Sequence, residues 1–98
     1  MLGSIWKPAA DLAAVIALAS SYLDRPVPNN LVAIGEVGLT GELRSVQNAE
    51  KIIKEAARLG YQQVIMPKRN AEKLGSEVGS CRIIGAKNIQ EAFKAYTS

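Results

Sequence analysis

Between positions 51 and 73 the chain sets Lys51, Lys54, Arg58, Lys68, Arg69 and Lys73 against only Glu55 and Glu72. Ammonium and guanidinium groups at that density suit phosphate chemistry: they neutralise a polyanionic backbone and release its counterions. On a helix, Lys51, Lys54 and Arg58 fall at i, i+3 and i+7 and line one outward strip about 10 Å long. Lys68, Arg69 and Lys73 follow the next strand and widen it. These six residues are the candidate DNA contacts. The charge is lopsided along the whole chain, with three basic and four acidic groups in residues 1–49 against nine and five in residues 50–98. Plain solubility accounts for such a face equally simply, because most charged faces are only solvated.

Other reactive groups are few. There is no histidine and a single cysteine, Cys81, which excludes an internal disulfide, histidine-based triads and the usual Cys/His zinc sites. Cys81 has no histidine to make it a thiolate and reads as an inert small residue beside a strand. Glu36 and Glu42 flank a turn, where paired acid–base work competes with simple hairpin-end solvation. Ser20 and Ser21 need a folded-in lysine to become nucleophiles. Neither a Walker-type Gly-Lys-Ser/Thr nor Gly-x-Gly-x-x-Gly occurs, so no nucleotide loop is expected. No metal or cofactor site is expected in this chain.

These groups must be carried by one domain: 98 residues, 48% apolar and 21% charged, make one ordinary globular core and exclude a disordered tail. Met1 to Trp6 reads as a segment apart, with Gly3-Ser4 like a cloning scar or a cut-in start, so the domain is placed at residues 7–98. The apolar run Leu12–Ala19 is far below the roughly 20 residues that cross a bilayer. Pro8, Asp11 and a lone Lys7 argue against a secretory leader, so the expectation is a cytoplasmic protein without membrane contact. A helix is expected from about Pro8 to Leu23, apolar nearly all round and therefore buried on several sides. Leu31–Ile34 reads as a buried strand continuing through Gly35–Leu39. Thr40-Gly41 reads as a turn and Glu42–Val46 as the returning strand. Ala49, Ile52, Ile53, Ala56 and Ala57 stripe a helix capped by Asn48 and closed by Gly60. Then come a strand at Gln63–Met66 stopped by Pro67, a short helix from Asn70 to Leu74, and a strand at Arg82–Gly85. A final helix starts with a capping box at Asn88–Glu91. Such alternation predicts an α/β fold, a small mixed sheet with packed helices.

Four segments carry a family resemblance: Lys7-Pro-Ala-Ala-Asp-Leu-Ala, Asp24-Arg-Pro-Val-Pro, Gly35-Glu-Val-Gly-Leu-Thr-Gly-Glu-Leu-Arg, and Lys54-Glu-Ala-Ala-Arg-Leu-Gly with Pro67 downstream. From about Trp6 to Ser98 the chain resembles the carboxy-terminal region of the bacterial RadA family, also called Sms. The resemblance implies a Lon-protease-like domain of the ribosomal-S5-domain-2-like fold, truncated at its N-terminal strands. Active Lon proteases use a Ser–Lys dyad. Here the serine position of their Pro-Ser-Ala-Gly segment holds Ala9, and the lysine position holds Glu50. The threonine before the Gly-Glu pair is Ile34, and Lys51 stands one residue late, about 100° round the helix. The resemblance therefore implies a pseudo-protease, with no enzyme activity in this chain.

The function so implied is a non-catalytic oligomerisation and DNA-binding module of an ATP-dependent recombination and repair protein that drives branch migration. ATP, magnesium and zinc would belong to other parts of the full-length protein. The partners implied are DNA, further copies of the chain in a hexamer, and a RecA-type recombinase. The alternatives are a serine–lysine peptidase with its dyad relocated to Ser20 or Ser21, and a pure protein-interaction fragment.

Overall fold

Side chains alternate along Gln63–Pro67, so Val64 and Met66 point to one face and Ile65 to the other, yet all three are fully buried. A strand buried on both faces lies inside a sheet with helices on each side. A computed structural model describes residues 11–24, 27–28, 30–75 and 77–97 and places that strand at the centre. The elements are α1 (Asp11–Leu23), β1 (Leu31–Ala33), β2 (Glu36–Val37), β3 (Leu43–Arg44), α2 (Ala49–Arg58), β4 (Gln63–Pro67), α3 (Lys68–Leu74), β5 (Glu77–Val78), β6 (Cys81–Ala86) and α4 (Ile89–Thr97). The main sheet has the order β1-β4-β6-β5. β1, β4 and β6 run parallel, with Val32 opposite Val64 and Ile65 opposite Ile84, and β5 closes the edge antiparallel to β6. The chain is thus α/β with a small mixed sheet, as its alternation of elements predicts.

Two apolar layers follow from the period of two. Leu31, Ala33, Ile65 and Ala86 meet Leu12 and Ile16 of α1 and Ala92 and Tyr96 of α4 on one face. Val64, Met66, Cys81 and Ile83 meet Ala49, Ile53 and Ala56 of α2 on the other, with Ala71 and Leu74 of α3 packed alongside. Gly85 lets α3 approach β6, since a Cβ there would lie 3.0 Å from Ala71 Cβ.

Several expectations are corrected. α1 buries Leu12 and Ile16 but leaves Leu18 and Tyr22 74% and 89% exposed, because only one of its sides meets the sheet. Residues 31–39 do not form one strand. Ile34 N–H still bonds Ile65 O at 2.9 Å, but Gly35 O turns to accept Leu12 N–H at 2.9 Å, so β2 leaves the sheet and pairs with β3 in a separate hairpin. Asn48 precedes α2 in the left-handed region, φ 60°, and makes no side-chain cap. α3 starts at Lys68, two residues early, since Pro67 stands at its N-cap. The short β5 carries no sequence alternation to announce it. At α4, Asn88 Oδ1 accepts Glu91 N–H at 2.9 Å, while the Glu91 carboxylate reaches Lys87 N–H at 2.8 Å, one residue before the cap. Gly60, at φ 98°, ends α2 as expected. No helix among the described residues is long and apolar enough to cross a membrane.

Candidate nucleic-acid interface

β4 and β6 end at the same level, Pro67 opposite Ala86. The residues that follow these strand ends are Lys68, which opens α3, and Lys87. Both are exposed. The carboxyl ends of parallel strands are where α/β folds bind ligands, and here they present two lysines together. Arg69 follows in the first turn of α3. With Leu43 and Glu72, these three cations line an open depression of about 320 Å³. Among the described residues none of the three is within ion-pair distance of a carboxylate.

The six sequence candidates do not form one strip. Lys68 and Arg69 come together. Lys73 lines a separate recess of about 370 Å³ between α3 and the start of α2, shared with Val46, Asn48, Glu50 and Asn70. On α2, Lys54 pairs with Glu50 at 3.4 Å, and Arg58 pairs with Glu55. That pairing lowers the Glu55 carboxyl and raises the Arg58 guanidinium, through the hydrogen bond between them. Lys51 borders an apolar groove. The strip of α2 is therefore largely neutralised by its own acids, which the residues 51–73 alone do not show because Glu50 stands just outside them. Lys87 was missed because it lies far along the chain. The available signal was that two apolar strand runs, Val64–Pro67 and Ile83–Ala86, are each followed by a lysine.

Groups suited to proton transfer are tuned the wrong way. Cys81 is fully buried, and burial pushes its thiol up, away from the thiolate. Glu42 is held by the Thr40 hydroxyl, by Thr40 N–H at 3.1 Å and by Arg44 at 3.2 Å, which lower its pKa from 4.5 to about 2. That is the opposite of a general acid. A lowered folded pKa means that these bonds contribute fully above about pH 4.5 and fade as pH falls towards 2. The Thr40 amide shift is thus expected to hold steady from pH 8 to 5 and to move only below that, with the step abolished in Glu42→Gln. An NMR titration checks this, and a midpoint near 4.5 would contradict it.

Of the positions aligned with a peptidase dyad, Ala9 lies outside the described residues. Glu50 is exposed in the first turn of α2 and engaged with Lys54. Ser20 and Ser21 lie on α1, across the sheet from Lys51 and Lys54 of α2.

These features define the class as a small α/β domain with a basic edge at the carboxyl ends of its central strands. Residues 7–70 match the family model of subunit ChlI of Mg-chelatase. The chain is 43% identical over 91 residues to the DNA repair protein RadA of Chlamydia pneumoniae, covering 92% of this chain and 20% of that protein. It is 39% identical over 92 residues to RadA of Escherichia coli, 94% of this chain and 20% of that protein, and 44% identical over 88 residues to RadA of Bacillus subtilis, 90% and 19%. The chain belongs to the family that the ChlI model describes, and nine-tenths of it is similar to a segment of the RadA DNA repair proteins. It spans about a fifth of the length of the curated relatives it matches.

Proposed function

We propose that the chain is the non-catalytic, Lon-protease-like assembly and DNA-binding module of a RadA-type repair protein. In this reading, segments outside the chain bind ATP, magnesium and zinc and drive branch migration. The role of its relatives in DNA repair supports it. The observation that carries the DNA contact is the shared level of Lys68 and Lys87, which with Arg69 gives three cations without carboxylate partners among the described residues. Lys73, Lys51, Lys54 and Arg58 serve as outlying contacts. The non-catalytic half is supported by Glu50 in the position of the dyad lysine and by Ser20 and Ser21 lying across the sheet from the α2 lysines.

Fluorescence anisotropy with labelled duplex DNA, run between about 50 and 200 mM salt, tests the DNA half. Each lost phosphate contact reduces the log–log slope by about 0.9. The triple variant Lys68→Ala, Arg69→Ala, Lys87→Ala is expected to flatten the slope by roughly 2–3 and to weaken binding more than about tenfold at low salt. Lys51→Ala, Lys54→Ala, Arg58→Ala is expected to change the slope by about 1 or less, since two of those cations already face carboxylates. Equal slopes for parent and the first triple variant would refute the interface.

A further inference from the structure

We propose that Leu39, at the tip of the β2–β3 hairpin, is an apolar wedge for the DNA held on the edge of Lys68, Arg69 and Lys87, and that it gives this edge a preference for duplex with a weakened base step. The proposal rests on the DNA half of the function above and names the form of DNA that the edge takes.

The hairpin rises from the cation edge itself. Leu43 of β3 lines the depression that Lys68, Arg69 and Lys87 share. Its N–H bonds Lys87 O at 2.8 Å, and Ile89 N–H bonds Gly41 O at 3.0 Å. Beyond Gly41 comes only the turn. Leu39 stands four positions from Leu43, so their backbones are at most about 14 Å apart. That is the rise of about four base pairs. DNA whose phosphates meet these cations runs within reach of the tip.

By itself an exposed leucine names no ligand; beside three cations on a fixed turn it does. Leu39 is wholly exposed, 102% on the scale of a free residue. Gly38 N–H bonds Glu42 O at 2.8 Å, Gly41 N–H bonds Gly38 O at 3.1 Å, and Thr40 N–H bonds the Glu42 carboxylate at 3.1 Å. A Cβ on Gly38 would land on that carboxylate, so glycine is what lets it close over the turn. The tip is therefore rigid, and glycines on either side of Leu39 and Thr40 keep it slender. Proteins that kink DNA insert leucine and other apolar side chains between base steps from the minor groove. That groove, about 6 Å wide and 7.5 Å deep, admits a lone side chain on such a mount. The two acids of the hairpin are drawn aside. Glu42 is turned back onto Thr40 and Arg44, and Glu36 stands opposite Arg44 in the strand register. No aromatic side chain lines the depression or forms the turn, so the stacking that holds single strands has no platform here. A wedge must first unstack a step, and this costs least where the bases are mispaired. Duplex with a weakened step is the form that gains.

Fluorescence anisotropy with two labelled duplexes tests the proposal, one fully paired and one with a central mismatch. A 2-aminopurine beside the same step reports unstacking by brightening. The parent is expected to bind the mismatched duplex at least about threefold more tightly than the paired one and to brighten the reporter. Leu39→Ser keeps the core, since the residue is exposed. It is expected to bind both duplexes alike, with the parent's salt slope and no brightening. Leu39→Phe is expected to restore both effects, because phenylalanine also wedges. If Leu39→Ser discriminates and brightens as the parent does, or the parent does neither, the wedge is overturned and the cation edge stands. If the parent binds no DNA, or the Lys68, Arg69 and Lys87 triple variant binds both duplexes like the parent, the edge falls and the wedge with it. A parent that prefers a single strand to either duplex, and loses that preference in Leu39→Ser, would make Leu39 a single-strand contact and also overturns the wedge.

Discussion

Ile53→Ala is expected to destabilise the domain by about 2–5 kcal/mol, the range for removing a buried aliphatic side chain whose cavity only partly collapses. Ile53 is fully buried and sits among Ile34, Ala49, Ala56, Val64, Met66, Cys81 and Ile83. In a domain of this size, 1 kcal/mol corresponds to roughly 4–8 °C in melting midpoint, so a fall of about 8–40 °C should appear in a thermal melt. Ile16→Ala, on the other face, is expected to fall in the same range, since Ile16 is 2% exposed between α1 and the sheet. The two residues belong to separate layers, so their costs should add within about 0.5 kcal/mol. Leu18→Ala is the control: it removes a similar side chain from the exposed side of α1 and should cost at most about 0.5 kcal/mol. If Ile53→Ala melts like Leu18→Ala, the packing of α2 described above is wrong.

Asn70→Ala is expected to cost about 2–4 kcal/mol, a polar loss of nearly the same size. Asn70 is the buried polar side chain among the described residues, 8% exposed. Its Oδ1 accepts Val46 N–H at 2.9 Å and its Nδ2 donates to Val46 O at 3.1 Å. The amide thus stands in for a neighbouring strand and ties α3 to the segment between β3 and α2. Alanine leaves both Val46 backbone groups without their partner, and a buried donor or acceptor left unpaired costs about 1–3 kcal/mol. Asn70→Asp keeps the acceptor but turns a carboxylate towards Val46 O, so at neutral pH it should be no better than alanine. Hydrogen exchange at the Val46 amide reads this directly: protection should fall in Asn70→Ala well beyond the change in global stability. Unchanged Val46 exchange with an unchanged melt would show that the clamp contributes nothing.

What was legible in the sequence was whatever depends on short-range period and on turn chemistry. The stripe of α2 placed Ala49, Ile53 and Ala56 correctly against the core, because residues three and four apart share a helix face wherever the helix goes. Gly60 marked its end, since a left-handed residue is needed there. The hairpin at Thr40-Gly41, the buried strand ending at Pro67 and the cap at Asn88 were read for the same reason, as was the alternation that gives an α/β sheet. Lys68, Arg69 and Lys73 were visible as a cluster because they lie within six positions of one another in the chain.

Tertiary structure decided which surfaces those local elements present. The uncharged run of α1 suggested burial all round, but a helix on the outside of a sheet meets it along one side, so Leu18 and Tyr22 stay exposed. β2 separated from β1 because the carbonyl of Gly35 bonds the start of α1 rather than extending the ladder, a competition between partners 23 positions apart. Lys87 joined Lys68 only because β4 and β6 are parallel neighbours whose ends coincide. Strand register is set by side chains packing across two layers at once, and no window of sequence contains both strands with their register. The sequence determined the elements and their charge; the register of the sheet decided which cations act together.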